Sequence, residues 1–249
     1  MFPIRDHNPS GKTPFVTYAL MAANILIFLL TWPLFSDERA LQVFFFDWAL
    51  IPAAVADGAR IHGLVTSMFL HAGFLHLAGN MLFLWIFGDN LEEDMGHVGF
   101  LMFYLASGIG AGLMHVLAAP WSPVPTVGAS GAIAGVMGGY LLLYPRARVD
   151  VLFIFIIIFK IFPIPAWIML GIWFALQLFS GVGADMSAGG VAYWAHAGGF
   201  IVGLVLTVPV WLRLGGTGYW SKTHGHPAHP EAKYNLSRSR IPKIQRDRR

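Results

Sequence analysis

The 249-residue chain contains no cysteine, which excludes disulfides and thiolate chemistry and leaves the redox compartment open. Charge is scarce as well. Asp, Glu, Lys and Arg make up 12% of the residues, roughly half the share of about 25% found in soluble domains. So little charge points to a membrane protein. No cleavable signal peptide is recognisable, because the first apolar run is too long and lacks a small-residue cleavage site.

What is present is apolar sequence, 56% of the chain. Several runs approach the roughly 20 residues needed to cross a bilayer core of about 30 Å. They cover 15–35, 64–88, 97–119, 126–144, 166–180 (with apolar sequence before it) and 191–212. The pattern predicts an all-α, polytopic membrane protein with six transmembrane helices. Its expected parts are a short cytoplasmic segment at 1–14, a six-helix domain at 15–212 and a basic, disordered cytoplasmic tail at 213–249.

Charge orients the spans. Residues 214–249 hold eight Lys or Arg against two acids, Arg146 and Arg148 follow the fourth run, and Arg5 and Lys12 precede the first. The turns near 120–125 and 181–190 carry no basic residue. The positive-inside rule then predicts both termini in the cytoplasm, which an even number of spans satisfies. The basic balance reads as a topology and lipid-surface signal, with no nucleic-acid partner.

Ionisable or strongly polar residues within spans are costly and default to functional candidates. The second run offers His71, His76 and Asn80, the third ends with His115, the fourth contains Ser130 and the sixth His196. Asn24, Lys160 and Gln177 complete the set. If the second helix ends near Gly88, Asn80 lies about 12 Å and His76 about 18 Å above the inner edge. His196 comes out roughly 9 Å, and Ser130 on the order of 8 Å, below the outer edge. Ser130, His76 and His196 thus share a layer, with Asn80 one turn deeper. His71 and His115 are expected at the outer interface.

A serine hydroxyl needs a base to take its proton, and His196 can serve. No carboxylate lies within reach along that helix, so a Ser-His dyad is expected. His76 and Asn80, spaced i, i+4, can present oxyanion donors from one helix face. Ser130 at a helix start adds an unpaired backbone N–H. A plainer reading stands beside this. Ser130, Gly131 and Gly135 also form a small-residue packing pattern, and each histidine singly could be a packing residue. A Gly-x-Ser-x-Gly elbow is excluded, since position 132 is Ala. A metal site from His71, His76 and His196 lacks an acid or cysteine to complete it. The tail's "HGHPAH" at 224–229 reads as solvated.

At these residues the chain resembles the rhomboid family of intramembrane serine proteases. "GASG" at 128–131, "AHAGGFIVG" at 195–203, "HAGFLHLAGN" at 71–80 and "LEEDMG" at 91–96 occur in the family's order. The resemblance implies Ser130 as nucleophile, His196 as general base, and His76, Asn80 and the Ser130 N–H as oxyanion donors. It also implies His71 as a companion at the rim and Glu92 with Gly96 at the start of the third span. Gly128, Gly131, Gly135, Gly199 and Gly203 are expected to support the site by letting helices approach. Two departures stand out. Many members carry Trp-Arg where this chain has His62-Gly63, and some have an aromatic where it has Ala134. The resemblance leaves Tyr193 or Trp194 to steady His196.

The implied substrates are single-span or polytopic membrane proteins met within the lipid bilayer, and no metal or organic cofactor is required. The implied location is a bacterial inner membrane with the site opening outward. The rival readings are a catalytically silent relative that binds transmembrane helices, and a transporter; the second predicts an internal repeat, which is not seen.

Overall fold

Proline and positive-φ glycine divide the apolar sequence into helices. The computed structural model describes residues 2–155, 158–185, 189–227, 230–232 and 234. After strand β1 (Phe2–Asp6), helix α1 (Phe15–Thr31) starts behind Pro14 and continues as a 3₁₀ turn to Ser36. The connection at 37–70 then folds into α2 (Glu38–Trp48), α3 (Pro52–Ala56) and α4 (Gly63–Thr66), with a 3₁₀ turn at Ser67–Phe69. Helix α5 (Phe74–Met95) follows, and Gly96, at φ 72°, separates it from α6 (His97–Ala118). Helices α7 (Ser130–Leu143), α8 (Ala166–Val182), α9 (Tyr193–Leu214) and α10 (Thr217–Thr223) complete the helical set among the described residues.

Helix α7 is apolar on every face, and eleven of its fourteen residues are buried, the signature of a helix enclosed by others. It packs against α5, α6 and α9. Among the described residues, three segments are long and apolar enough to cross a membrane, Phe15–Ser36, α6 and α9. The pair Gly63–Phe69 and Phe74–Met95, bent by 95°, makes a fourth if counted as one span. Helices α7 and α8 are shorter. Helix length alone therefore supports three or four spans rather than six.

Three expectations need correction. The second apolar run does not form one helix over 64–88; it turns sharply at 70–73, and α5 runs on to Met95. The chain is also not purely helical. The sequence before α8, with its β-branched and aromatic residues suited to strands, forms β2 (Arg148–Phe155) and β3 (Ile158–Pro165), in a three-stranded antiparallel sheet of order β1-β2-β3. Lys160 thus lies exposed on β3 and not in a span. Within the tail expected to be disordered, residues 217–223 form α10, while residues 235–249 lie outside those described.

The sheet sits at the end of α7 remote from Ser130, and the N-terminal segment is tied to it. Asp150 on β2 accepts hydrogen bonds from Arg5 Nε and His7 Nε2, each at 2.7 Å. Burial works against that carboxylate, but the His7 and Arg5 contacts hold it below its usual range. Tyr140 of α7 donates to Asp6 Oδ2 at 2.9 Å and accepts from Asn8 Nδ2 at 2.7 Å.

Glu92 is buried near the end of α5. Its carboxylate accepts from the backbone N–H groups of Val16 and Thr17, both at 2.8 Å, and from Thr17 Oγ1 at 2.7 Å. It supplies to α1 the N-terminal cap that Pro14 cannot. His97 Nδ1 adds a fourth contact at 2.6 Å. Removing the acceptor strands buried donors at a cost of about 1–3 kcal/mol each. Glu92→Ala is expected to destabilise the protein by about 3 kcal/mol, and Glu92→Gln by clearly less, read as the shift in thermal unfolding in detergent micelles.

Candidate active site

Three helix starts meet at one end of the bundle. The loop before α7 contains Pro120, Pro123 and Pro125, which keep it from continuing α6. Two backbone hydrogen bonds between Leu50 and Thr126, at 3.0 and 2.8 Å, and one from Gly128 N to Ser67 O at 2.9 Å tie the loop to the connection at 37–70. Helix α7 therefore begins at Ser130, where first-turn N–H groups have no intrahelical partner. Gly128 has φ +129°, and a Cβ there would stand 2.7 Å from His76 Nε2. Only glycine tolerates that backbone while letting the His76 ring approach the serine.

His196 lies in the first turn of α9, and its Nε2 is 2.8 Å from Ser130 Oγ. Its other ring nitrogen, Nδ1, is 2.9 Å from Gln177 Oε1 on α8. The Gln177 amide nitrogen donates to Trp173 O at 3.2 Å. The Trp173 ring lies against the imidazole, with centroids 5.8 Å apart and planes at 32°. Trp173 and Phe174 also pack on Phe200 of α9. The imidazole is thus steadied by Trp173 and Gln177, correcting the expectation of Tyr193 or Trp194. The sequence carried a signal for this pair. Gln177 is the one amide in 166–182, and Trp173 lies four residues before it on the same helical face.

His76 Nδ1 accepts from Ala72 N at 3.4 Å, which leaves the proton on Nε2, the nitrogen turned towards Gly128 and Ser130. Asn80 is buried and gives one amide hydrogen to His76 O at 2.9 Å; the second remains to be given. Ser130, His196, His76, Asn80 and Trp173 line one cavity of about 680 Å³, and among the described residues no Asp, Glu, Lys or Arg lines it. The arrangement brings together a hydroxyl, a nitrogen base and several hydrogen-bond donors in an uncharged pocket. That set suits acyl transfer.

The other candidates lie around this centre. His71 is 2% exposed, with its ring 5.1 Å from that of His76. His115 is also buried, with Nε2 3.1 Å from Thr126 Oγ1. His115 thus faces the loop at 119–129, and His71 directly follows the connection at 37–70. That connection is held without Trp-Arg. Arg60 donates to Phe46 O at 2.8 Å, and His62 donates to Asp47 O at 2.8 Å while packing edge-on against Trp48. Gly199 and Gly203 of α9 lie against the backbone of Gly131 and Gly135 of α7. Glu92 and Gly96 lie at the opposite end of α5, away from the cavity, where Glu92 caps α1 and Gly96 marks the break between α5 and α6. His224 and His226 of the tail stand apart from the cavity, and His229 falls outside the described residues.

Comparison with known proteins agrees with these motifs. Residues 58–213 match the family described as Rhomboid domain. The chain is 32% identical over 200 residues to "Rhomboid protein 1, mitochondrial" of Saccharomyces cerevisiae, covering 76% of this chain and 51% of that protein. It is 34% identical over 152 residues to "Rhomboid-like protein 11, chloroplastic" of Arabidopsis thaliana, 59% of this chain and 51% of that one. "Rhomboid protease GluP" of Bacillus subtilis is 36% identical over 132 residues, 53% of this chain and 25% of its own length. The chain thus spans about half or less of these relatives.

Proposed function

Since the chain belongs to the rhomboid family, we propose that it is a serine endopeptidase that hydrolyses peptide bonds in or near transmembrane segments of membrane proteins. The observation that carries this reading is the 2.8 Å contact between Ser130 Oγ and His196 Nε2 at the cavity. His196 takes the hydroxyl proton as Ser130 Oγ attacks the scissile carbonyl carbon. The developing oxyanion receives hydrogen bonds from His76 Nε2–H, the Ser130 backbone N–H and the free hydrogen of the Asn80 amide. His196 then gives its proton to the leaving amine, and the C–N bond breaks to leave an acyl-enzyme. Water, deprotonated by the same imidazole, releases the acid and restores Ser130.

The family and the apolar helices make this an integral membrane protein. Within our proposal α1, α5, α6, α7, α8 and α9 cross or enter the bilayer of a bacterial inner membrane, with both termini cytoplasmic. The charge distribution supports that orientation. The irregular loop at 119–129 is held by backbone contacts to Leu50 and Ser67; non-helical backbone within a bilayer needs protein or water around it, which supports a cavity that water enters from the outer side. The domain then corresponds to residues 15–212, with the flanking segments on the cytoplasmic side.

The test uses purified wild type in lipid. It is expected to cleave members of a panel of single-span substrates within or beside the membrane helix, and a fluorophosphonate is expected to modify one residue, mapped by peptide mass to Ser130. Protein that cleaves none of the panel and takes no label would overturn the reading, and would favour a silent binder of transmembrane helices. Label mapped elsewhere would overturn the assignment of the nucleophile.

A further inference from the structure

Histidine can act as a base toward Ser130 only in one of its two neutral forms. The proton must sit on Nδ1 so that the Nε2 lone pair faces the hydroxyl. Among the described residues no charged side chain lines the cavity, so the selection falls to the group that touches Nδ1. The group there is Gln177 Oε1, at 2.9 Å.

A glutamine could in principle offer either end of its amide, and the two ends would have opposite consequences. An N–H turned to Nδ1 would force the proton onto Nε2 and leave the imidazole useless as a base. Here the amide nitrogen is committed to Trp173 O, one turn back on α8, at 3.2 Å. That bond fixes the amide plane and leaves the oxygen for His196. The side chain is 9% exposed, so water competes little for it. Trp173 serves twice, through its carbonyl for Gln177 and its ring for the imidazole. The α8–α9 contact does not depend on Gln177, since Trp173 and Phe174 pack independently on Phe200.

We infer that Gln177 is a positioning residue for the proposed hydrolysis, holding His196 in the Nδ1–H form with Nε2 aimed at Ser130. The inference rests on the protease reading and extends the Ser-His pair to a Ser-His-Gln relay with a neutral third member. The choice of amide over carboxylate follows from the surroundings. An ionised carboxylate at this depth would cost several kcal/mol of desolvation, whereas a carbonyl dipole orients the ring without that cost. The proton budget is unchanged: Nδ1 keeps its hydrogen throughout, and only Nε2 exchanges one with Ser130, the leaving amine and water.

Two variants and one spectrum test it. Gln177→Met keeps length and apolar bulk but removes the acceptor; kcat is expected to fall about 10²-fold with KM within about twofold, and the fluorophosphonate labelling rate should fall in parallel. Gln177→Glu restores an acceptor. It should retain more activity than Gln177→Met and move the acidic limb of the kcat/KM profile to higher pH, because a carboxylate favours the imidazolium. Wild-type turnover by folded Gln177→Met would overturn the inference. So would equal losses in both variants with an unmoved acidic limb, the pattern expected of packing alone. Should either variant fail to fold, ¹⁵N NMR of His196 in wild type decides: a protonated Nδ1 supports the assignment, and a protonated Nε2 overturns it. Wild type that neither cleaves nor labels sinks the protease reading itself, whereas active wild type with an indifferent Gln177→Met sinks only this one.

Discussion

Ser130→Ala is expected to lower cleavage by about 10⁴- to 10⁶-fold, and His196→Ala by nearly as much. The double variant should lose little more than either single one. In the proposed mechanism the two side chains, 2.8 Å apart, form one proton-transfer unit, so removing either member removes the nucleophile's activation, and the second removal has nothing further to take. Additive losses would mean that the two act in separate steps. Fluorophosphonate labelling should vanish in Ser130→Ala and slow severely in His196→Ala. Stability should barely change in Ser130→Ala, about 0.5 kcal/mol or less, because the lost hydroxyl faces a cavity rather than closely packed core. Turnover above a tenth of wild type by either single variant would remove the basis for the Ser-His mechanism.

Much of this site was legible before any coordinates, for a physical reason. Lipid makes polar side chains expensive, so the few present inside apolar runs stand out, and Ser130, His76, Asn80, Gln177 and His196 were all visible as costs needing an explanation. The start of α7 was legible too, because the prolines at 120, 123 and 125 deny the preceding loop a helix. What composition could not supply was pairing. Nothing in the spacing of Gln177 says which nitrogen its oxygen meets, since that depends on how α8 docks against α9. The strands β2 and β3 were hidden for another reason. A short apolar stretch with no clear period reads equally as part of a span or as strand, and its pairing with β1 is a non-local fact. The burial of His71 and His115 within the fold was likewise not readable, since it depends on how distant segments pack.

The second large effect concerns the backbone contact that holds the pair together. Gly199→Val is expected to reduce kcat/KM by at least about 10²-fold and to destabilise the fold by about 1–3 kcal/mol. A Cβ on Gly199 would run into the carbonyl oxygen of Gly131, and one on Gly203 into the backbone of Gly135. These obstacles are main chain, so they cannot turn aside as a flexible side chain would, and α9 must move away from α7. The lever is short. Gly131 directly follows Ser130, and His196 stands about one turn before Gly199, so the displacement reaches the Ser130–His196 contact almost undiminished. A hydrogen bond of 2.8 Å does not survive a separation on the order of 1 Å. Gly171→Val on α8 is the matched control: a Cβ there meets nothing within 4 Å, so it carries the helix-propensity change without the clash and should leave turnover close to wild type. Activity should therefore fall out of proportion to stability in Gly199→Val when both are measured well below the unfolding temperature. Near-normal turnover by a folded Gly199→Val protein would show that the glycines serve helix association alone. A parallel loss in Gly171→Val would assign the effect to the valine and not to its position.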